Sequence, residues 1–325
     1  MPQLRSERLN VETTPYYHLM SRCVRRAFLC GKDPRTGEDF EYRREWIEKR
    51  LFDLTAVFAV DLHAYAVMSN HLHIVVRVDK ERAESWSDKE VVRRYGKLFR
   101  FKAKELDALP AREAKARIAI WRERLWSLSW LMRCLNESIA RRANAEDDCK
   151  GRFWEGRFVC QPLLDEAAVL TCMAYVDLNP VRAGIAKSLK ASKHTSIAKR
   201  IKRLNAALRS DASPVPEGLT PFADQTPPRS RRTTVPMQYV DYLELLTWVG
   251  REVRANGVTL KRTPALLHDL RLNPSAFLAM MRSHGLRTAS VLGSLDALES
   301  FVDTRGQRWV RGTRLARALS VPAGE

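Results

Sequence analysis

The chain has 325 residues, 45% of them hydrophobic, which is enough for one sizeable domain with a packed core and a smaller one beside it. Its formal net charge of +18 and pI near 10.0 are unusual for an enzyme of small neutral substrates and indicate a polyanionic partner, with nucleic acid as the first candidate. The basic residues are spread along the chain, and no apolar run approaches the roughly 20 residues that cross a bilayer, so we exclude a membrane protein.

The N-terminus and the cysteines bear on the compartment. The first residues, MPQLRSER, are polar and lack the apolar core of a secretory signal, so we expect the protein to stay in the cytoplasm. The cysteines show neither a Cys-x-x-Cys pair nor a Cys/His arrangement of zinc-site type, and we expect reduced thiols.

A strand and then a helix are predicted in the N-terminal part. Residues 16–24 alternate as a strand, with His18 and Met20 on one face. Residues 43–58 place apolar side chains at helical spacing, namely Trp46, Ile47, Leu51, Leu54 and Phe58.

Residues 63–78 have the pattern of a β-hairpin. Ser69 and Asn70 supply turn chemistry between two runs rich in valine and aromatic residues. Since side chains at i and i+2 of a strand point the same way, His71 and His73 share one face. Two imidazoles aimed at one point can hold a divalent metal, although two histidines on a solvated face would give the same pattern.

The middle of the chain alternates between charged and apolar segments. Residues 79–124 are dense in Lys, Arg and Glu, and they predict an insertion of solvated helices. A core helix follows, with apolar positions at Leu128, Leu131, Met132, Leu135 and Ile139.

An extended piece is predicted at residues 152–162, where aromatic side chains alternate with Arg152 and Arg157. Aromatics beside arginines suit base stacking and phosphate contacts, and packing of the aromatics in the core explains the pattern equally well.

A helix that begins after Asp165 carries Tyr175, and Asn179 follows one helical turn later, just before a proline ends the helix. A tyrosine close to a metal suggests phosphoryl transfer. The order strand, helix, hairpin, helix, strand, helix predicts an α+β fold with a mostly antiparallel sheet.

The C-terminal half begins with a basic run at residues 187–209, which favours a phosphate-tracking surface, although a solvated helix face has the same composition. Proline, serine and threonine at 206–236 predict an extended linker, and 237–325 a small helical appendix. Four cations of the basic run are the candidates for DNA binding: Lys199, Arg200, Lys202 and Arg203.

Four motifs give the chain a family resemblance: YYHLMSR at 16–22, MSNHLH at 68–73, GRFWEGRF at 151–158 and AYVDLNPVRAG at 174–184. In their order and context the chain resembles the REP-associated tyrosine transposases, which belong to the single-tyrosine HUH transposases. The resemblance covers about residues 10–205, which it identifies as a catalytic domain.

The resemblance implies a ferredoxin-like sheet whose central strand carries a pair of metal-binding histidines, here His71 and His73. It further implies that Tyr175 is the nucleophile and that Asn179 completes a site for Mg²⁺ or Mn²⁺. The implied activity is cleavage and rejoining of single-stranded, hairpin-forming DNA through a 5′-phosphotyrosine. A monomer and a dimer are both compatible with it, and the base that activates the tyrosine is not identified.

Two other functions share the basic composition. A domesticated protein that binds DNA hairpins without cleavage would keep the same surface, and a structural RNA-binding protein would leave the histidines and the tyrosine unexplained. His18 and His63, each alone in its strand, are expected to pack or to contact DNA.

Overall fold

The computed structural model describes residues 10–24, 29–33, 36–99, 106, 108–210, 213–226, 233–254, 263–283 and 285–321. The polar N-terminus and parts of the charged, proline-rich and C-terminal segments discussed above lie outside the described residues. No helix in the described ranges combines the length and the apolar character needed to cross a bilayer.

A four-stranded antiparallel sheet forms the centre of the fold. Its strands lie in the order β2-β3-β1-β4, with Leu19 of the inner strand β1 opposite Ile74 of β3 and Cys160 of β4. Helices connect β1 to β2 and β3 to β4, so the sheet is ferredoxin-like and the predicted α+β class is confirmed. The strands are β1 (Tyr16–Arg22), β2 (Val60–Val67), β3 (His71–Val78) and β4 (Val159–Leu163).

The last strand is shorter than the extended piece predicted at 152–162. Residues 151–158 pair only locally with the end of β1, where the amide of Glu155 donates to the carbonyl of Arg22. Gly151 and Gly156 lie in this segment, and glycine weakens a strand because it has no side chain to pack. The irregular segment therefore crosses the end of the sheet beside β1.

One face of the sheet is covered by α1 (Arg43–Thr55) and α5 (Leu128–Glu146). Both are predicted from their apolar spacing, and both pack against the side chains that alternate inward from β1 and β3. The stripe of α5 is buried throughout, whereas α1 ends at Thr55, before the predicted Phe58, and leaves Trp46 half-buried. The shared core includes Leu19, Ile74 and Leu135, each fully buried.

The charged segment is helical, as predicted. Its described helices are α2 (Lys80–Ser85), α3 (Asp88–Leu98) and α4 (Ala111–Trp126). The apolar face is thin but packed, because Tyr95 stacks on Trp121 with ring centres 4.5 Å apart.

The other face of the sheet is covered by α6 (Glu166–Asp177), whose cap Asp165 accepts from the amide of Ala168 as predicted. Every residue of α6 from Ala168 to Asp177 is buried. A second short helix, α7 (Asn179–Arg182), follows at once. Since Pro180 has no amide hydrogen to donate to the preceding turn, the helix divides there.

The predicted helical C-terminal region packs directly against α6. Its helices share one apolar core with Tyr175 of α6 and with Leu178, which follows α6, and the described parts of the proline-rich segment contribute Phe222 and Val235 to it. From residue 213 the described part of that segment forms one 3₁₀ turn, Ala223–Gln225, and no α-helix, because proline interrupts helical hydrogen bonding without preventing burial. The helix before the proline-rich segment is α8 (Ser196–Ala207), and those of the C-terminal region are α9 (Tyr239–Arg254), α10 (Ala265–Asp269), α11 (Pro274–Arg282), α12 (Leu295–Thr304) and α13 (Thr313–Leu319).

Both outer strands of the sheet pair with segments from the C-terminal half. Beside β4, the amide of Leu292 donates to the carbonyl of Pro162 at 3.0 Å, and Leu164 donates back to Leu292 at 2.8 Å. Beside β2, the amide of Thr220 donates to the carbonyl of Leu62 at 2.8 Å.

A buried histidine on β2 predicts acid sensitivity of the fold. His63 is fully buried and lies 3.1 Å from the hydroxyl of Thr220, and burial lowers its pKa to about 4. The unfolded chain binds this proton near pH 6.5, so the stability that neutral His63 contributes is lost as the pH falls from about 6.5 to about 4. Wild-type protein should lose free energy of unfolding between pH 7 and pH 4.5, and we expect His63→Phe to make this loss smaller by about 2 kcal/mol, as measured by urea unfolding. An unchanged pH dependence would contradict this.

Candidate active site

The predicted histidine pair lies at one end of β3. Alternation along the strand buries Leu72 under α1 and α5, and it directs His73 toward α6. His73 is 1% exposed, whereas His71 is half-buried, and their ring centres are 4.8 Å apart. The two imidazoles therefore converge where the sheet meets α6, the helix that carries Tyr175.

Tyr175 on α6 meets this pair. Its ring stands nearly perpendicular to that of His73, with the ring centres 6.0 Å apart. The guanidinium of Arg182 lies 4.1 Å from the centre of the phenol ring, and it also donates to the carbonyls of Met281 and Ser283 on the C-terminal side. The tyrosine is only 2% exposed.

Asn179 is buried and begins α7, four residues after Tyr175. The sequence predicts a single helix for both residues, whereas the structure divides it after Asp177 for the reason given above. Leu178 between the two helices keeps helical backbone angles and its amide donates to the carbonyl of Ala174 at 3.0 Å, so Asn179 still lies about one turn beyond Tyr175.

A solvent cleft opens beside the histidine pair, where the irregular segment 151–158 crosses the end of β1. Within the described residues, its lining includes neither Tyr175 nor Asn179. The lining consists of Met20, Ser21, Arg22, His71, His73, Glu155, Gly156, Arg157 and Val159. Arg22 and Glu155, which the sequence does not single out, thus join the histidines and one predicted arginine.

The chemistry of the histidine pair fits a divalent ion. The side-chain amide of Asn70 lies 2.6 Å from Nδ1 of His71, and with the amide oxygen as acceptor Nδ1 donates and a neutral His71 presents Nε2 as a ligand. Metal-binding histidines are oriented in this way. No set of three or more His, Cys, Asp or Glu side chains in the described part of the chain is arranged as a complete site, so further ligands would be amide, water or substrate oxygens.

The predicted DNA-binding cations fall into two separate regions. Arg152 and Arg157 are exposed, and Arg157 lines the cleft. Lys202 and Arg203 lie on α8, which packs along β2, the edge strand opposite β4. Lys199, also on α8, lies 3.6 Å from the carboxylate of Glu48.

Arg200 differs from its neighbours on α8. Its side chain is 1% exposed and donates to the carbonyls of His63 at 3.0 Å and Thr220 at 2.8 Å. It follows Ile197 by three positions on the inward face of the helix, so it joins α8 to β2. This burial does not agree with the predicted phosphate contact.

Asp177, at the end of α6, joins three parts of the chain. Its buried carboxylate accepts from the hydroxyl of Ser196, the amide of Ile197 at 2.9 Å and the hydroxyl of Tyr242 at 2.7 Å. Burial raises the pKa of Asp177, and these hydrogen bonds act in the opposite direction. The helix that carries Tyr175 is thereby fixed to α8 and α9.

His18 and Gln161 extend the site behind His73. Nε2 of His18 lies 2.9 Å from Nδ1 of His73, and Nδ1 of His18 lies 3.0 Å from the amide oxygen of Gln161. Burial lowers the pKa of His18 to about 4 and that of His73 well below its usual range. The signal in the sequence is the alternation that places His18 on the same face as the histidine pair.

No protein-family profile and no curated protein sequence matches the chain. Among solved structures, one of a REP-associated tyrosine transposase bound to a REP hairpin is similar, with 11% identity and a TM-score of 0.39 over 71% of this chain and 100% of that chain. A likeness of this size carries no inference about the activity of the chain.

Proposed function

We propose that the chain is a metal-dependent tyrosine transposase that cleaves and rejoins single-stranded, hairpin-forming DNA. The observation that carries the proposal is the meeting of His73 and Tyr175, from two distant motifs, with ring centres 6.0 Å apart. A net charge of +18 and the arginines beside the histidine pair agree with a DNA substrate.

In this mechanism the phenol oxygen of Tyr175 attacks the scissile phosphorus. A new bond forms between them, the bond to the 3′-oxygen breaks, and a 5′-phosphotyrosine and a free 3′-hydroxyl result. The phenol loses its proton as the new bond forms, and the departing 3′-oxygen takes one up. The guanidinium of Arg182 packs against the ring and holds the phenol in place.

His71 and His73, with Asn179, would hold Mg²⁺ or Mn²⁺. Such an ion, when bound, polarises the phosphate and orients it for in-line displacement. Arg22 and Arg157 in the cleft can bind the flanking phosphates and keep the strand in register with the histidines.

A second function is favoured by the burial of Tyr175. The side chain is 2% exposed, so little of its surface is open to a phosphate. A protein that binds hairpin DNA without cutting it would need no access to this hydroxyl. The two functions share the cleft and differ in the covalent step.

Adduct formation separates the two functions. The 5′-phosphotyrosine retains the DNA on the 3′ side of the cut, so a hairpin oligonucleotide labelled at its 3′ end should stay on the protein in a denaturing gel when Mn²⁺ is present. The same oligonucleotide labelled at its 5′ end should be released, and chelator should abolish both products. Binding without an adduct would favour the silent hairpin-binding protein.

Arg157 is expected to contact phosphate in the cleft. We predict that Arg157→Ala weakens binding to all single-stranded sequences and reduces the slope of log affinity against log salt by about 0.7. The matched control is Lys202→Ala, an exposed cation on α8 away from the cleft. Dissociation constants measured over a salt series test this. A larger loss in Lys202→Ala would place the DNA path over α8 instead.

A further inference from the structure

The side-chain amide of Gln161 is oriented by the C-terminal region. Its nitrogen lies 3.1 Å from the carbonyl oxygen of Leu286 and 2.7 Å from that of Ala289. Carbonyl oxygens only accept, so the group that faces both must be the NH₂. The amide oxygen is thereby turned toward His18, and the flip of this amide is determined.

The proton positions on His18 follow from this orientation. The oxygen of Gln161 accepts, so Nδ1 of His18 donates. Within the described residues the ring's hydrogen-bond partners are Gln161 and His73, neither of which is a carboxylate, and the side chain is 1% exposed. A second proton would leave a buried, unpaired charge, which is costly, so Nε2 of His18 carries a lone pair.

The same reasoning extends to His73. Its Nδ1 lies 2.9 Å from the lone pair on Nε2 of His18, so Nδ1 carries the proton. Nε2 of His73 then carries the lone pair, which is the form of imidazole that binds a metal.

We infer that His18 and Gln161, anchored by the carbonyls of Leu286 and Ala289, are positioning residues that keep the proton of His73 on Nδ1 and present Nε2 as a metal ligand. The role of His73 as a metal ligand rests on the proposed function. The proton position itself is a property of the metal-free protein.

The proton position can be measured without any variant. In wild-type protein labelled with ¹⁵N at histidine and kept in chelator, long-range ¹H–¹⁵N correlation spectra distinguish the two neutral tautomers. We expect His73 as the Nδ1–H form, with the signals assigned by their loss in His73→Gln. If wild-type His73 is the Nε2–H form, the inference is overturned, even if the protein cleaves DNA. If it is the Nδ1–H form, the inference about the proton position holds, even if the protein does not cleave DNA.

Two substitutions at His18 separate positioning from packing. Glutamine can place its amide oxygen near the former position of Nε2 and accept from His73, whereas phenylalanine keeps the ring shape and accepts nothing. We expect His18→Phe to lose the single tautomer of His73 and to bind Mn²⁺ about 10- to 100-fold more weakly. His18→Gln should retain both properties to a large degree.

The matched control is His63→Phe, which removes another fully buried histidine from β2, on the other side of β3 from His18. It should leave Mn²⁺ affinity unchanged in titration calorimetry. If packing were the only role of His18, phenylalanine would be tolerated and glutamine would not. Equal Mn²⁺ affinity in His18→Phe and wild type would therefore overturn the inference.

Discussion

Tyr175→Phe is expected to abolish the covalent adduct with hairpin DNA and to leave hairpin affinity within a few-fold of wild type. The substitution removes one hydroxyl, the proposed nucleophile, and keeps the ring that packs against His73 and Arg182. Loss of a nucleophile that acts as part of a unit costs on the order of 10⁶ in rate, so no adduct should be visible on a denaturing gel.

Tyr17→Phe is the control for this substitution. Tyr17 is also fully buried, but it lies on the opposite face of the sheet, and its hydroxyl has no hydrogen-bond partner within the described residues. Its removal should change neither adduct formation nor affinity. An adduct that survives in Tyr175→Phe would sink the assignment, and mass spectrometry of the adduct peptide would then identify the tyrosine that carries the DNA.

Asp177→Ala is expected to lower the free energy of unfolding by about 3–5 kcal/mol, the range for removal of one partner from a buried charged network. The change leaves the donors of Ser196, Ile197 and Tyr242 without their acceptor, and it removes the negative charge near the buried guanidinium of Arg200. Urea unfolding at pH 7 measures the effect.

Asp269→Ala is the control for this second substitution. Asp269 lies on α10 with 70% of its side chain exposed, so its loss should change stability by less than about 0.5 kcal/mol. A loss below about 1 kcal/mol in Asp177→Ala would mean that α6 is held to the C-terminal region by apolar packing alone.

Local pattern was sufficient to predict much of the fold. Period-2 alternation predicted β1, turn residues between two runs rich in valine and aromatic residues predicted the hairpin, and period-3.6 apolar spacing predicted α1 and α5. The end of α6 was less predictable, since both a continuous and a divided helix satisfy the backbone around Pro180.

The candidate site also contains residues that the sequence predicted and one that it did not. His71, His73 and Tyr175 carry motif signals, and they do come together. Gln161 carries none, because its role depends on carbonyls more than a hundred residues later in the chain.

The burial of Arg200 could not be predicted from the composition of the basic run. A run of cations indicates a basic surface, but it does not say which member faces inward. The three-residue spacing from Ile197 was the available signal, and only the partners on β2 and at Thr220 determine that this guanidinium is structural.

The pairing of Leu292 with β4 and of Thr220 with β2 has a consequence for truncation. Outer strands with unpaired backbone groups are templates for pairing with another chain, and proteins protect them by covering them. Here Leu292 beside β4 and Thr220 beside the first half of β2 come from beyond residue 205, whereas the second half of β2 is covered by residues 194–196. A fragment cut at position 205 would expose the edge of β4 and part of the edge of β2, together with the apolar face of α6, and self-association into aggregates is the expected fate of such a fragment.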